Sequence, residues 1–252
     1  MNRENRALCL VFPMGIELAP LLRRVEVVRR WKRGAATYRE VFFEGHTLVV
    51  VRSGIGPKRA AAAVNGLDIL PSAMLSVGTA GSLVRELEIG DLVVSSETLS
   101  DTSPQEGLKW PHSLVASVVR ACDSENLPHT TTRLVTVSKA VISLEDREKL
   151  HELTGASAVD MESHALGLEA QKLGVPFTSL RVISDDLHSP PLPDPRRLKL
   201  KWHDPRTLKR ELTALIRWRL FLRNFRRVVQ LPPPVVLRLV RESAGDWGHA
   251  DS

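Results

Sequence analysis

The chain has 252 residues, 43% of them hydrophobic and 25% charged, a composition typical of a folded globular protein with a sizeable core. Its apolar runs fall short of the roughly 20 residues that a membrane-spanning helix needs, and Pro13 interrupts the N-terminal run too early for a signal peptide. The net charge of +6 comes from residues 196–241, where fourteen Lys and Arg face only Asp204 and Glu211. This segment carries +12 and leaves −6 for the rest, so the sequence does not indicate a basic catalytic domain.

Short apolar runs alternate with helical patterns over the first 185 residues. Strands are predicted over Ala7–Phe12, Thr47–Arg52, Ala73–Val77, Asp91–Ser95, Leu134–Val137 and Phe177–Ile183, and helices over Ile16–Arg24, Lys58–Leu67 and Met161–Lys172. Continuous apolar strands that alternate with helices are typical of a mostly parallel sheet that is covered on both faces. We therefore predict an α/β fold: one three-layer domain over residues 1–195, with a central parallel or mixed sheet flanked by helices.

The proline-rich run 188–197 marks a boundary, and we predict a basic, Pro-interrupted helical extension over residues 196–252. A helix is expected over residues 206–229, ended by the prolines at 232–234. One face of this helix is apolar and aromatic, and arginines lie opposite; the apolar face consists of Trp218, Phe221, Leu222, Phe225, Val228 and Val229. This pattern is typical of a helix that binds an anionic membrane surface, and equally of one that packs on its own core or on a second subunit.

Polar and glycine-rich loops follow four of the predicted strands directly. They are Met14–Glu17, Ser53–Gly56, Gly78–Gly81 and Ser184–Asp185. Each glycine loop alone is explained by a tight turn, and none has the spacing of a P-loop or a dinucleotide fingerprint. Because the carboxyl ends of parallel strands gather at one edge of a sheet, the four loops together predict a ligand site there.

Acidic residues stand at two further places where chemistry is expected. Asp160 and Glu162 flank Met161 at the start of a predicted helix, where helix capping is the simpler explanation. Asp185 and Asp186 follow an apolar strand, and two neighbouring carboxyls can raise one another's pKa, which would suit a proton donor.

Four segments together resemble the methylthioadenosine/adenosylhomocysteine nucleosidase and purine nucleoside phosphorylase superfamily. The segments are FPMGIELAPLL, VVVRSGIGPKRAAAAV, LSVGTAGSLVRELEIGDLVVS and AVDMESHALGLEAQKLGVPFTSLRVISD, and they span residues 8–186 in the expected order. Within the superfamily, VDMES, GVPF and ISD before a Pro-rich basic tail are most similar to the hopanoid-associated phosphorylase group. That resemblance implies cleavage of adenine from an adenosyl lipid such as adenosylhopane, in hopanoid biosynthesis.

The resemblance assigns catalytic roles to Glu17, as the base that activates the attacking water, and to Asp185, as the acid at purine N7. It assigns substrate binding to Glu162, on the ribose 2′- and 3′-hydroxyls, and to Met161, against the sugar. The other implied substrate-binding residues are Thr79, Ala80, Gly81, Ile142, Ser184 and Arg181. It further implies a homo-oligomer, and the reaction it implies needs no metal or organic cofactor.

Alternatives remain open within this interpretation. The acid Glu17 in the first loop favours water over phosphate as nucleophile, so hydrolysis is preferred to phosphorolysis. Val141, where many relatives carry an aromatic residue, and the stretch 98–113 favour a bulky or apolar 5′ substituent over a small soluble nucleoside. A soluble methylthioadenosine/adenosylhomocysteine nucleosidase is the other candidate, and a non-catalytic protein that binds lipids or polyanions is the third. Cys9 and Cys122 match no metal or redox spacing, so we expect both to be core thiols in a cytoplasmic protein. We also expect peripheral contact with a membrane through residues 206–229.

Overall fold

The computed structural model describes residues 7–188 and 222–242. Its strands are β1 Leu8–Phe12, β2 Glu26–Arg33, β3 Ala36–Phe43, β4 His46–Arg52, β5 Met74–Ser82, β6 Leu92–Ser100, β7 Ser103–Lys109, β8 His129–Thr136, β9 Ala158–Asp160 and β10 Phe177–Asp185. Its helices are α1 Gly15–Leu22, α2 Pro57–Val64, α3 His112–Ser124, α4 Leu144–Thr154, α5 Ser163–Lys172, α6 over residues 222–228 and α7 Pro232–Glu242.

The ten strands form one mixed sheet in the order β10-β6-β8-β9-β5-β1-β4-β3-β2, with β7 paired to β6. The strands β4, β1, β5 and β10 are parallel neighbours, so their carboxyl ends lie at the same edge. Because β10 also pairs with both β5 and β6, the five strands β5, β10, β6, β8 and β9 close into a ring. The predicted mixed sheet is confirmed, and its closed half meets its open half at β5.

Alternate residues of β1 face opposite sides of the sheet, as the pleat requires. Leu8, Leu10 and Phe12 belong to a core cluster that includes residues of α1, α3 and α7. Cys9 and Val11 belong to a second cluster with residues of α2 and α5. The sheet is therefore covered on both faces, which confirms the three-layer prediction.

The hairpin of β2 and β3 is absent from the predicted strands. Most side chains of β2 are exposed, and the strand is an edge of the sheet that carries four Arg and Lys residues. An exposed edge strand does not need the apolar run on which strand prediction depends, and charged side chains on such an edge discourage pairing with other chains.

The described part of the predicted extension packs on the α/β domain. Phe225, Val228 and Val229 of the predicted apolar face are buried, and Val228 lies in the same core cluster as β1. Helix α7 begins at the prolines and contributes a further five residues to this cluster, Val235, Val236, Leu237, Leu239 and Val240. Leu222, also on the predicted apolar face, is 45% exposed. Most of the apolar face in residues 222–229 is thus used for packing on the protein itself, while the first part of the predicted helix, residues 206–221, lies outside the described residues.

Both cysteines are buried and unpaired, as expected of core thiols. Within residues 7–188 and 222–242, no helix is long and apolar enough to cross a membrane. The same residues contain no group of three His, Cys, Asp or Glu side chains placed to hold a metal ion.

Candidate active site

A cavity of about 200 Å3 opens where the carboxyl ends of the parallel strands meet. Segments that follow β1, β4, β8 and β9 and the ends of β5 and β10 contribute to its wall. The lining residues are Pro13, Met14, Glu17, Ile55, Thr79, Ala80, Gly81, Val137, Ala140, Val141, Arg147, Val159, Asp160, Met161, Glu162, Ser184 and Asp185. Three acidic residues that are distant in the chain, Glu17, Glu162 and Asp185, therefore line one cavity.

Glu17 lies in the first turn of α1 and is 3% exposed. The backbone N–H of Met14 donates to its Oε2 at 2.9 Å, and the backbone N–H and hydroxyl of Thr79 both donate to its Oε1 at 2.9 Å. Burial raises the pKa of Glu17, against the opposing effects of the Arg181 charge and of these hydrogen bonds. The carboxyl is thus held in a fixed orientation between β1 and β5, in a setting that favours proton uptake.

Glu162 precedes α5 and is held from across the cavity by the loop after β4. Its Oε1 accepts a hydrogen bond of 2.7 Å from the backbone N–H of Gly56, a residue whose φ of 101° lies in the region that favours glycine. Burial, with a smaller contribution from the neighbouring Asp160, raises the pKa of Glu162 to about 7. The Arg181 charge and the Gly56 hydrogen bond oppose that rise.

Beneath these two glutamates lies a buried ion pair between Asp160 and Arg181. Arg181 is 0% exposed, and its Nε donates to Asp160 Oδ2 at 2.9 Å while its Nη2 lies 2.8 Å from the same oxygen. Nη2 also donates to the hydroxyls of Ser76 and Ser163, at 2.7 and 2.8 Å. Asp160 accepts further bonds from Thr136 and from the first N–H groups of α5, so the predicted capping role and the ion pair both hold.

Arg181 leaves one nitrogen, Nη1, without a hydrogen-bond partner among the described residues. A Cβ atom at Gly78 would lie 3.2 Å from this nitrogen and 3.0 Å from Glu17 Oε1. The strand backbone at Gly78 therefore passes directly beside both groups, and the positive charge of Arg181 lies behind Glu17 and Glu162 without lining the cavity.

Asp185 ends β10 and also lines the cavity. The hydroxyl of Ser184 donates to its Oδ1 at 2.8 Å, and Arg147 of α4 forms an ion pair with its Oδ2. The Asp185 side chain is 27% exposed and that of Arg147 is 10% exposed. The carboxylate is therefore partly open to the cavity while two donors orient it.

The structure brings most of the sequence-predicted site residues to the cavity wall. Those that line it are Glu17, Thr79, Ala80, Gly81, Met161, Glu162, Ser184 and Asp185. Arg181 lies behind the wall, and Ile142 is 49% exposed and outside the lining, where its neighbours Ala140 and Val141 lie instead.

Two contributions to the site were missed by the sequence interpretation. Arg147 belongs to LEDREKLHELT, whose charges are typical of a solvent-facing helix, and no pattern in it marks one arginine as buried. The second is the partner of Asp160, which was interpreted only as a helix cap, because Arg181 is 21 residues away in the chain.

The chain is similar to proteins of known family and known structure. The phosphorylase superfamily matches residues 7–197 of the chain. A 5′-methylthioadenosine/S-adenosylhomocysteine nucleosidase of an Exiguobacterium species is 28% identical over 186 residues, which cover 65% of this chain and 79% of the relative. The enzyme of the same name from Bacillus licheniformis is 22% identical over 196 residues, covering 71% and 85% of the two chains.

Solved structures share this fold. Futalosine hydrolase of Helicobacter pylori superposes with a TM-score of 0.77 at 20% identity, covering 96% of this chain and all of the other. The 5′-methylthioadenosine/S-adenosylhomocysteine nucleosidase of Campylobacter jejuni superposes with a TM-score of 0.77 at 19% identity, covering 94% and 100%. With the family matched over most of its length and the acidic cavity formed at the expected sheet edge, the chain belongs to the phosphorylase superfamily.

Proposed function

We propose that this protein hydrolyses the N-glycosidic bond of a purine nucleoside, with adenine as the base. The observation that carries the proposal is the convergence of Glu17, Glu162 and Asp185, from three distant segments, on one cavity. Relatives named as nucleosidases and a structural neighbour named as a futalosine hydrolase support bond cleavage by water.

The three carboxyls suit the charge that develops in such a reaction. When the C1′–N9 bond breaks, its electron pair passes to the purine and positive charge develops on the ribose. Asp185 donates a proton to purine N7, a general-acid contribution of about 10²–10⁴-fold. Glu162 accepts hydrogen bonds from the ribose hydroxyls, and Glu17 takes a proton from the water whose oxygen bonds to C1′. Their negative potential around the sugar stabilises the transition state.

The contacts of Glu17 favour water over phosphate as the nucleophile. A phosphate dianion needs several N–H and O–H donors, as well as cations. Here the N–H groups of Met14 and Thr79 and the Thr79 hydroxyl donate to Glu17 instead, and the carboxylate itself would repel a dianion. A neutral water molecule meets neither obstacle.

The apolar part of the wall supports a substrate with an apolar 5′ substituent. Met14, Ile55, Val141 and Met161 line the cavity, and Ile55 is 47% exposed. An adenosyl lipid such as adenosylhopane, as in hopanoid biosynthesis, is the substrate we propose. The second candidate is methylthioadenosine or adenosylhomocysteine, which the names of the curated relatives favour.

Product analysis by mass spectrometry tests both the reaction and the substrate. The protein is offered adenosyl lipids, methylthioadenosine, adenosylhomocysteine and inosine, each with and without inorganic phosphate. We expect adenine and a free ribosyl product from an adenosyl lipid without phosphate, and loss of adenine release in the Glu17→Gln and Asp185→Asn variants. Strict dependence on phosphate would overturn hydrolysis, and unchanged release by both variants would overturn the assignment of the site.

Contact with an anionic membrane surface through residues 206–229 remains part of the proposal, for a cytoplasmic enzyme that acts as a homo-oligomer. In the described part of this segment, Arg223, Arg226 and Arg227 are exposed, as is Leu222, while Phe225, Val228 and Val229 are buried. Each arginine near an anionic surface contributes about 1 kcal/mol to binding. The fraction of protein that floats with anionic liposomes should therefore fall when these three arginines are replaced by serine. An equal fraction for the variant and the wild type would show that these arginines do not bind the membrane.

A further inference from the structure

Arg147 is the one cation that lines the cavity among the described residues. Its Nε donates to the carbonyl oxygen of Val141 at 3.2 Å, and its Nη1 donates to the carbonyl oxygen of Ser82 at 3.2 Å. The remaining arm, Nη2, forms the ion pair with Asp185. Two backbone carbonyls from different segments thus fix the plane of the guanidinium, and only one arm is directed to a side chain.

The two oxygens of Asp185 have different partners, which sets the direction of the carboxyl. Oδ1 accepts from the Ser184 hydroxyl and Oδ2 from Arg147. Gly81 of β5 lies beside this pair, since a Cβ atom there would be 3.0 Å from Asp185 Oδ2 and 3.5 Å from Arg147 Nη2. A planar guanidinium that two backbone carbonyls already hold in place loses little conformational freedom when it binds a carboxylate.

We propose that Arg147 is a positioning residue that holds Asp185 as the acceptor for an N–H group at position 7 of the purine. The inference rests on the proposed function and adds the residue that orients Asp185 toward the base. Asp185 first takes up a proton from solvent, and during cleavage its O–H bond breaks as an N–H bond forms at N7. Arg147 then stabilises the carboxylate that remains, and the new N7–H donates to it.

This role predicts which bases the cavity distinguishes. A base that presents N–H at position 7 gains a hydrogen bond to Asp185, whereas a base with C–H at that position gains none. The contribution of Arg147 to binding should therefore depend on the atom at position 7 and on no other part of the nucleoside. If the Arg147 guanidinium only supports the backbone at Val141 and Ser82, its loss should weaken the binding of all nucleosides by the same factor.

Two nucleoside analogues separate these roles without any turnover. Formycin A carries N–H at the position equivalent to N7, and tubercidin carries C–H there. Their dissociation constants are measured by calorimetry for the wild-type protein and for Arg147→Met, Arg147→Lys and Arg133→Met. Arg133 is the matched control, because it forms an arginine–carboxylate pair with Glu97 at 2.8 Å and does not line the cavity.

We expect Arg147→Met to weaken the binding of formycin A about tenfold or more, which is the range for a lost hydrogen bond to a charged group. The dissociation constant of tubercidin should change less than about twofold. Arg147→Lys should recover part of the lost affinity for formycin A, since lysine keeps the positive charge but lacks the planar guanidinium. Arg133→Met should leave the dissociation constants of both analogues unchanged.

Equal weakening of both analogues by Arg147→Met would overturn the inference and leave Arg147 a structural support, and unchanged binding of both would overturn it as well. In either of these cases, the proposed function still stands if the wild-type protein binds both analogues. If wild type binds neither analogue, the proposed function itself fails and the role of Arg147 fails with it.

Discussion

The raised pKa of Glu162 makes nucleoside binding depend on pH in a predictable direction. Burial and the neighbouring Asp160 hold this pKa at about 7, and the carboxyl is 4% exposed. Ribose hydroxyls donate hydrogen bonds, and the ionised carboxylate is the form that accepts them best. Binding of a nucleoside should therefore release a proton, and affinity should rise as the pH rises through 7.

The size of the effect follows from the fraction of protein in the ionised form. With the pKa of Glu162 near 7, about a tenth of the carboxyls are ionised at pH 6 and about nine tenths at pH 8. The apparent dissociation constant is the intrinsic one divided by that fraction, so affinity should be roughly tenfold weaker at pH 6 than at pH 8. This is about 1.4 kcal/mol.

Calorimetry with tubercidin at pH 6, 7 and 8 measures this dependence, and buffers of different ionisation enthalpy count the protons released. The Glu162→Gln variant keeps an acceptor that cannot titrate, and it should bind weakly with no dependence on pH. A 2′,3′-dideoxy analogue should show little dependence with wild type, because it lacks the donors. An affinity for tubercidin that is constant from pH 6 to 8, or a slope that persists in Glu162→Gln, would refute the reasoning.

Three further predictions concern the fold and the buried groups. Asp160→Asn should lower the free energy of unfolding by about 3–5 kcal/mol in urea titration, because it leaves Arg181 charged and buried, and adding Arg181→Met should restore part of the loss. If the double variant is no more stable than the single one, the ion pair is not the cause. Gly78→Ala should lower kcat at least about tenfold, since the added carbon would lie 3.0 Å from Glu17 Oε1; an unchanged kcat would show that Glu17 can shift without loss. A chain that ends at residue 195 should lack a cooperative thermal transition, because α7 supplies core residues; a sharp transition would instead support an independent domain over 1–195.

The central strands and the acidic loops were predictable because buried parallel strands carry continuous apolar runs. Runs such as LCLVF of β1 have no exposed face, and the chain can place polar residues only where the strand ends. Glu17 and Asp185 follow two such strands, and their common edge follows from parallel pairing. The exposed hairpin strand β2 has no comparable signal, and it was missed.

The position of the C-terminal segment could not be decided from its pattern. The same apolar arc suits a membrane surface or the core of the protein, because both are low-dielectric surroundings for Val228 and Phe225. Val228 and the side chains of α7 are buried because they pack in one core cluster with residues of α3 and of the sheet.

Local patterns along the chain thus determined the fold class and the strand ends, since periodicity and strand direction act over a few residues, while the roles of the three carboxyls were implied by the resemblance of four segments to a known superfamily. Only the tertiary structure decided that Glu162 has a pKa near 7, that Asp160 neutralises Arg181, and that Arg147 faces Asp185. These properties arise from desolvation and from Coulomb interactions between segments far apart in sequence, and both depend on distances that no local pattern contains.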